Sequence, residues 1–186
     1  DLAGAVEAYE QVLAMKQKVL GTREHASVAT TLHNLGLALA AAGDRAEGIK
    51  RLEESLQIRA KVSKKTDYLS AVTMYRLGAV QCEAGDLVSG GANIDAASRI
   101  MHDHGRALAP EREGQLLAVQ GLRAWCAKDF AAAVGLLSKA LAVLEGLSKN
   151  PETDAELAEL RFQLGRAHLD SGDADAGSAM LSKALA

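Results

Sequence analysis

Apolar residues recur along the chain at the three- and four-residue spacing of helices, and short polar corners interrupt this pattern. The corners recur every 42 to 44 residues, at Gly43-Asp44, Gly85-Asp86, Lys128-Asp129 and Gly172-Asp173, and Asp1 stands 43 residues before Asp44. A glycine just past a helix adopts the left-handed conformation that ends it, and a following aspartate caps the next helix. Each corner is therefore predicted to join two helices.

Each internal corner lies between two small residues that stand 12 positions apart. The pairs are Gly36 and Gly48, Gly78 and Gly90, Gly121 and Ala133, and Gly165 and Gly177. Small residues on both sides of a corner let two helix backbones approach closely, and large residues such as Leu52 fill the space beside them. Each copy is predicted to be a helical hairpin, which must stack on its neighbours to bury its apolar stripe.

The resulting map is all-α and contains nine helices. They are predicted at 2–20, 26–42, 45–62, 67–84, 87–104, 111–127, 130–147, 154–171 and 174 to the end. We group them into a single domain, 1–186, with a partial unit at 1–20 and four units at 26–62, 67–104, 111–147 and 154–186. Because the chain starts at Asp1 without a methionine, we expect a segment of a larger protein.

Three local features refine this map. Pro110 and Pro151 are expected between hairpins, just ahead of a helix start, where a missing N–H costs little. Thr153 and Glu156 have the spacing of a capping box, which predicts a helix start at 154. The adjacent glycines Gly90-Gly91 lie inside a predicted helix, so their hairpin is expected to be the least stable locally.

The repeat resembles the tetratricopeptide repeat, which pairs a Leu-Gly in the first helix with spaced small and apolar positions in the second. The Leu-Gly pairs are Leu35-Gly36, Leu77-Gly78 and Leu164-Gly165, and the second-helix trios are Ala5/Tyr9/Val12, Ala133/Leu137/Ala140 and Gly177/Leu181/Ala184. The longer period is similar to that of kinesin-light-chain repeats. The resemblance implies a right-handed α-solenoid of about four repeats plus an N-terminal orphan helix, and the Ala-rich composition favours a bacterial source.

Composition and charge exclude several classes of protein. The chain contains only 2 Pro and 3% aromatic residues, which is typical of a helical protein. It contains 21 Lys and Arg residues and 24 Asp and Glu residues, so it lacks the excess of basic residues that is typical of a nucleic-acid-binding protein. Apolar runs such as 35–42 are far shorter than the roughly 20 residues of a membrane span. We expect a cytoplasmic protein that has neither nucleic acid nor membrane as a partner.

The sequence contains no constellation that points to catalysis, a cofactor or a metal. No Gly-rich phosphate loop, nucleophile elbow or zinc-protease motif occurs, so we expect no enzyme. His102 and His104 point to different sides of a helix, and the other histidines fall in different copies. Cys82 and Cys126 stand 44 residues apart without a CxxC spacing, so they are interpreted as buried, unreactive thiols that form no disulfide framework.

The remaining candidate is the surface that the repeats create. By resemblance, the first helices of the hairpins line a concave groove that can hold a peptide or a partner domain. Polar and aromatic residues recur there at matching positions of successive copies, and polar side chains can bond a peptide backbone. The alternative to partner binding is that each residue simply lies on the solvent-exposed side of an amphipathic helix. For the single Trp, the alternative is a role in packing. The candidates are Thr30, His33, Asn34, Tyr75, Arg76, Gln115, Trp125, Phe162, Gln163 and Arg166.

Two functions fit this surface. The first is a non-catalytic protein-interaction scaffold. The second is a ligand- or peptide-sensing regulatory segment of a multidomain kinase or transcription regulator. In addition, Val6, Tyr9 and Leu13 of the orphan helix are expected to be covered on one side only, which predicts self-association through that end.

Overall fold

A computed structural model describes residues 1–63, 67–103, 110–147 and 151–184. Within these residues there are nine α-helices and no strand. The helices are α1 (Leu2–Leu20), α2 (Ala26–Ala41), α3 (Arg45–Val62), α4 (Tyr68–Glu83), α5 (Leu87–Asp103), α6 (Pro110–Cys126), α7 (Phe130–Glu145), α8 (Pro151–Ser171) and α9 (Ala174–Ala184). The chain forms two compact units, which we call unit 1 (Asp1–Ile100) and unit 2 (Met101–Ala186).

The structure contains the predicted helices. Two predictions about where α6 and α8 begin are wrong. Pro110 and Pro151 are the first residues of α6 and α8 instead of lying ahead of them. The fixed φ of proline suits the first turn, where its missing N–H has no partner in any case. Thr153 therefore lies inside α8, and the predicted capping box does not start that helix. The predicted ends at residues 104 and 186 fall outside the described residues.

The four corners have the predicted geometry. Gly43, Gly85 and Gly172 adopt positive φ angles of 100°, 93° and 93°. Each following aspartate accepts a hydrogen bond from the backbone N–H three residues later, at 3.0 to 3.1 Å. At the third corner Lys128 takes the same left-handed conformation, with φ 63°, although it has a side chain. The corner prediction is confirmed, and Lys128 is its strained member.

The paired small residues face each other across the hairpins, as predicted. A β-carbon on Gly36 would lie 2.8 Å from the carbonyl oxygen of Gly48, and one on Gly48 would lie 2.7 Å from that of Gly36. The same reciprocal contact joins Gly90 to Gly78, at 2.8 Å and 2.7 Å. Gly90 therefore weakens its helix intrinsically but permits this close approach, since any side chain there would separate the two backbones.

Each unit has its own apolar core between successive helices. In unit 1, α1 to α4 pack in chain order, and α6 to α9 do so in unit 2. The largest buried side chains include Leu32, Leu35 and Leu52 in unit 1 and Leu137, Leu144 and Leu164 in unit 2. First helices of successive hairpins also meet, because α2 contacts α4 and α6 contacts α8. These two first-helix contacts position the candidate site.

The interpretation of the cysteines needs a correction. Cys82 and Cys126 are both buried, as expected. In the described part of the chain, however, no cysteine is a free thiol. The prediction of two unreactive thiols is therefore wrong, because sequence spacing does not set the spatial surroundings of a sulfur atom.

Candidate functional site

The ten candidate residues divide equally between two surfaces, which we call the first-helix faces. The face of unit 1 is formed by α2 and α4, and that of unit 2 by α6 and α8. Unit 1 carries Thr30, His33, Asn34, Tyr75 and Arg76, and unit 2 carries Gln115, Trp125, Phe162, Gln163 and Arg166.

In unit 2, four side chains from α6 and α8 form one cluster. The guanidinium carbon of Arg166 lies 4.7 Å from the centre of the Trp125 ring and 5.9 Å from that of Phe162. The indole N–H of Trp125 donates a hydrogen bond to the Asp170 carboxylate at 2.7 Å. Cation–π contacts of this kind hold a guanidinium over the face of an aromatic ring. We call Trp125, Phe162, Arg166 and Asp170 the Trp125 cluster.

Two large apolar side chains, one in the Trp125 cluster and one next to it on α8, stay partly exposed. Phe162 is 40% exposed and Leu169 is 41% exposed, and they lie about one turn to either side of Arg166 on α8. Sequence reasoning did not select Leu169 and Asp170 as candidates. Asp170 follows Arg166 by four residues, which is the spacing of neighbours on one helix face, so the pattern contained a signal for it.

Two glutamines of unit 2 have partners on the first helices themselves. The Gln115 amide of α6 donates to the Glu156 carboxylate of α8 at 2.9 Å. The Gln163 amide donates to the Glu159 carboxylate one turn earlier at 2.8 Å, and Gln163 is buried. Gln115 therefore connects the two first helices, whereas Gln163 forms a bond within α8.

In unit 1 the corresponding contact between first helices involves a neutral histidine. The Nδ1 atom of His33 on α2 lies 3.0 Å from the hydroxyl oxygen of Thr73 on α4, and Thr73 is completely buried. Burial, together with the nearby positive charges of Arg76 and Arg59, lowers the pKa of His33 to about 4. The imidazole is therefore uncharged at neutral pH.

The other unit 1 candidates are held by near neighbours. The Thr30 hydroxyl accepts a hydrogen bond from the buried Arg59 of α3 at 3.2 Å and donates one to a backbone carbonyl of its own helix. The Arg76 guanidinium carbon lies 5.3 Å from the ring centre of Tyr75, which is buried. Asn34 is partly exposed on the same face. Tyr75 thus lies largely in the core, whereas Phe162 faces solvent.

Two further findings concern metal ions and membranes. Among the described residues, no group of three or more His, Cys, Asp or Glu side chains is arranged to hold a metal ion. In the same part of the chain, no helix has the length and apolar character that crossing a membrane requires.

Comparison with known proteins agrees with the repeat pattern. Two family models described as tetratricopeptide repeat match residues 27–88 and residues 1–27. No curated protein sequence matches the chain.

Two solved structures share the fold over almost the whole chain. A protein from Podosopora anserina, assigned as a kinesin light chain with nearly identical TPR-like repeats, is 22% identical with a TM-score of 0.62. That match covers 99% of this chain and 85% of the other. BtubC (BKLC) from P. vanneervenii is 18% identical with a TM-score of 0.62, covering 100% of this chain and 72% of the other. Residues 1–88 therefore match the tetratricopeptide repeat, and the whole chain shares its all-α fold with the TPR-like repeats of a kinesin light chain.

Proposed function

We propose that the chain is a non-catalytic scaffold that binds a peptide or a partner domain on its first-helix faces, which correspond to the concave side of a tetratricopeptide solenoid. Tetratricopeptide repeats are typically non-catalytic and generally mediate protein–protein interactions, which supports a protein partner. The observation that carries the proposal is the exposed apolar surface of Phe162 and Leu169 beside the oriented guanidinium of Arg166. Aromatic and Arg side chains of this kind are enriched at binding hot spots.

The Trp125 cluster offers both kinds of contact that a peptide requires. The Phe162 ring and the Leu169 side chain present apolar area that a partner can cover. The Arg166 guanidinium has several N–H donors in a fixed plane, and the two rings that flank it reduce the conformational entropy lost on binding. The regulatory alternative, a sensing segment of a kinase or transcription regulator, uses the same surface and stays a prediction, as does a cytoplasmic location.

Peptide selection tests the proposal and does not require the natural partner to be identified first. A random peptide library is displayed against the immobilised chain, and selected peptides are titrated against the wild-type chain and the double variant Phe162→Ala with Arg166→Ala. Loss of one apolar contact and one charged hydrogen bond is expected to weaken binding about tenfold to a hundredfold. Helicity measured by circular dichroism should not fall, because Ala favours helix at both positions.

The matched control changes exposed polar residues on second helices, Gln57→Ala on α3 with Lys139→Ala on α7. It should leave binding unchanged. A second double variant, Asn34→Ala with Arg76→Ala, tests the first-helix face of unit 1 in the same titration. If the control weakens binding while both first-helix doubles bind like wild type, the partner uses the second-helix side and the proposal is wrong.

A further inference from the structure

Arg59 of α3 is a buried cation that forms no ion pair within the described part of the chain. The residue is 4% exposed, and its Nε atom has no hydrogen-bond partner there. Its Nη2 atom donates a hydrogen bond of 3.2 Å to the Thr30 hydroxyl of α2, and Thr30 is exposed on the first-helix face of unit 1. The guanidinium therefore lies directly beneath that face, and one of its N–H groups lacks the partner that a buried polar group normally has.

Arg51, two turns earlier on the same helix, provides the contrast. Its guanidinium forms ion pairs with Glu47 at 2.7 Å and with Glu54 at 3.4 Å. Burial lowers the pKa of Arg59, and the negative charge of Asp67 offsets this only in part. Because an arginine keeps its charge even when it is buried, Arg59 remains an incompletely compensated cation.

The preceding copy of the repeat satisfies the equivalent position. Lys16 stands 43 residues before Arg59, and its ammonium donates to the Ser27 backbone carbonyl at 3.2 Å and to the Thr31 hydroxyl at 2.8 Å. Ser70 stands 43 residues after Ser27, is 2% exposed, and its Oγ atom has no hydrogen-bond partner within the described residues. The second copy therefore leaves polar atoms unsatisfied at positions where the first copy forms hydrogen bonds.

The region around Arg59 has a positive electrostatic potential. Burial and the positive charges of Arg76 and Arg59 lower the pKa of the nearby His33 to about 4. The imidazole is uncharged at neutral pH, but the two guanidinium groups keep their charges. Thr30 and His33 are one turn apart on α2, so the buried guanidinium and the positive potential meet on one side of that helix. A negative charge at this position is stabilised by both.

We propose that Arg59 binds a small oxyanion beside Thr30, a phosphate or carboxylate compound taken up from solution. The planar guanidinium matches the oxygen atoms of either group, and an arginine is the cation best suited to a partly desolvated ion pair. Because Arg59 lies beneath the exposed Thr30, a compact anion reaches it more readily than a peptide that lies across the face. The site lies in unit 1 and does not depend on peptide binding at the Trp125 cluster.

Thermal unfolding at pH 7 tests the proposal with inorganic phosphate and acetate in separate arms, each compared with chloride at equal ionic strength. An anion that binds Arg59 should raise the unfolding midpoint of the wild-type chain by about 3–6 °C at ten times its Kd. Arg59→Met should show no such rise. The arm that responds identifies the group that binds. A rise of equal size in Arg59→Met, or no rise in either arm, overturns the proposal.

The matched control is Arg51→Met on the same helix, which should keep the response to the anion. In chloride alone the two variants should differ in sign. Arg59→Met should be at least as stable as wild type, because it removes an incompletely compensated buried charge, whereas Arg51→Met should be less stable, because it leaves Glu47 and Glu54 without their partner. A clear loss of stability in Arg59→Met would give Arg59 a structural role and overturn the proposal.

An NMR titration of the wild-type chain locates the anion and needs no variant that folds. Addition of the anion that responds should shift the signals of Thr30, His33 and Arg59, and the shifts should saturate as the site fills. Arg59→Lys keeps the charge but loses the planar fork, so it should bind the anion at least tenfold more weakly. Shifts that saturate elsewhere in the chain while these three residues stay unchanged overturn the assignment to Arg59.

Discussion

The first-helix face is closed by polar contacts in unit 1 and open around aromatic side chains in unit 2. In unit 1, His33 bonds to the buried Thr73 and Tyr75 lies largely in the core. In unit 2, Trp125 and Arg166 stack near the surface while Phe162 stays exposed. Both faces come from the same repeat pattern. The repeat thus builds similar hairpins while the variable positions decide whether a face holds the helices together or offers contacts to a partner.

The hairpin contact is shared by both units, and breaking it should give the largest effect. Gly36→Leu is expected to cost about 2–4 kcal/mol, because even a β-carbon would lie 2.8 Å from the Gly48 carbonyl oxygen and 2.8 Å from Leu52. Gly165→Leu should cost less, since the corresponding distance to the Gly177 carbonyl oxygen is 3.1 Å. Urea unfolding measures both free energies.

The control for the hairpin contact is Glu53→Leu on the exposed side of α3, which should change stability little. Glu54 is unsuitable for this purpose, because its carboxylate forms ion pairs with Arg23 and Arg51. Equal urea midpoints for Gly36→Leu and Glu53→Leu would show that α2 and α3 can pack against each other without a glycine at position 36.

The closed face of unit 1 predicts a pH dependence that His33 controls. The pKa of His33 is about 4 in the folded chain against 6.5 for the unfolded residue, so the unfolded state binds the proton more readily. Its stabilising contribution is present above pH 6.5 and is lost as the pH falls towards 4, by at most about 3 kcal/mol. His33→Gln should lose less stability than wild type over this window.

Urea unfolding of wild type and His33→Gln at pH 7 and pH 4.5 measures that difference. Other groups that titrate in this range affect both chains alike, so the comparison isolates the imidazole. Parallel pH profiles for the two chains would contradict a buried, neutral His33.

The smallest expected effect concerns the corner of unit 2 that departs from the others. Lys128 adopts the left-handed φ of 63° where Gly43 and Gly85 of unit 1 also have positive φ angles. Lys128→Gly should raise stability by about 0.5–1 kcal/mol, because relief of the left-handed strain exceeds the extra backbone entropy of an unfolded glycine. The reverse change, Gly85→Lys, should lower stability by a similar amount. Thermal unfolding checks both. A Lys128→Gly variant that is less stable than wild type, or a Gly85→Lys variant that is more stable, would contradict the corner geometry.

The hairpins and their corners could be predicted from local sequence. The capping aspartates act on an N–H three residues away, and the left-handed glycines act on their own backbone, so these features depend on neighbours in the chain. The reciprocal contact of Gly36 and Gly48 spans only 12 residues across one turn. Local spacing therefore determined the helices and the packing within each hairpin.

The surface chemistry was decided by tertiary structure. Trp125 forms a hydrogen bond with the Asp170 carboxylate, and the two residues are 45 positions apart in the sequence. His33 forms one with Thr73, which is 40 positions away in the sequence. Such contacts depend on how far each hairpin is shifted and rotated on the next, and a repeat period does not specify those quantities. For the same reason, the sequence identified Val6, Tyr9 and Leu13 of α1 as apolar residues covered on one side, but it did not identify α2 as the helix that covers them. Which stripe of a helix meets its neighbour is settled only when the helices pack.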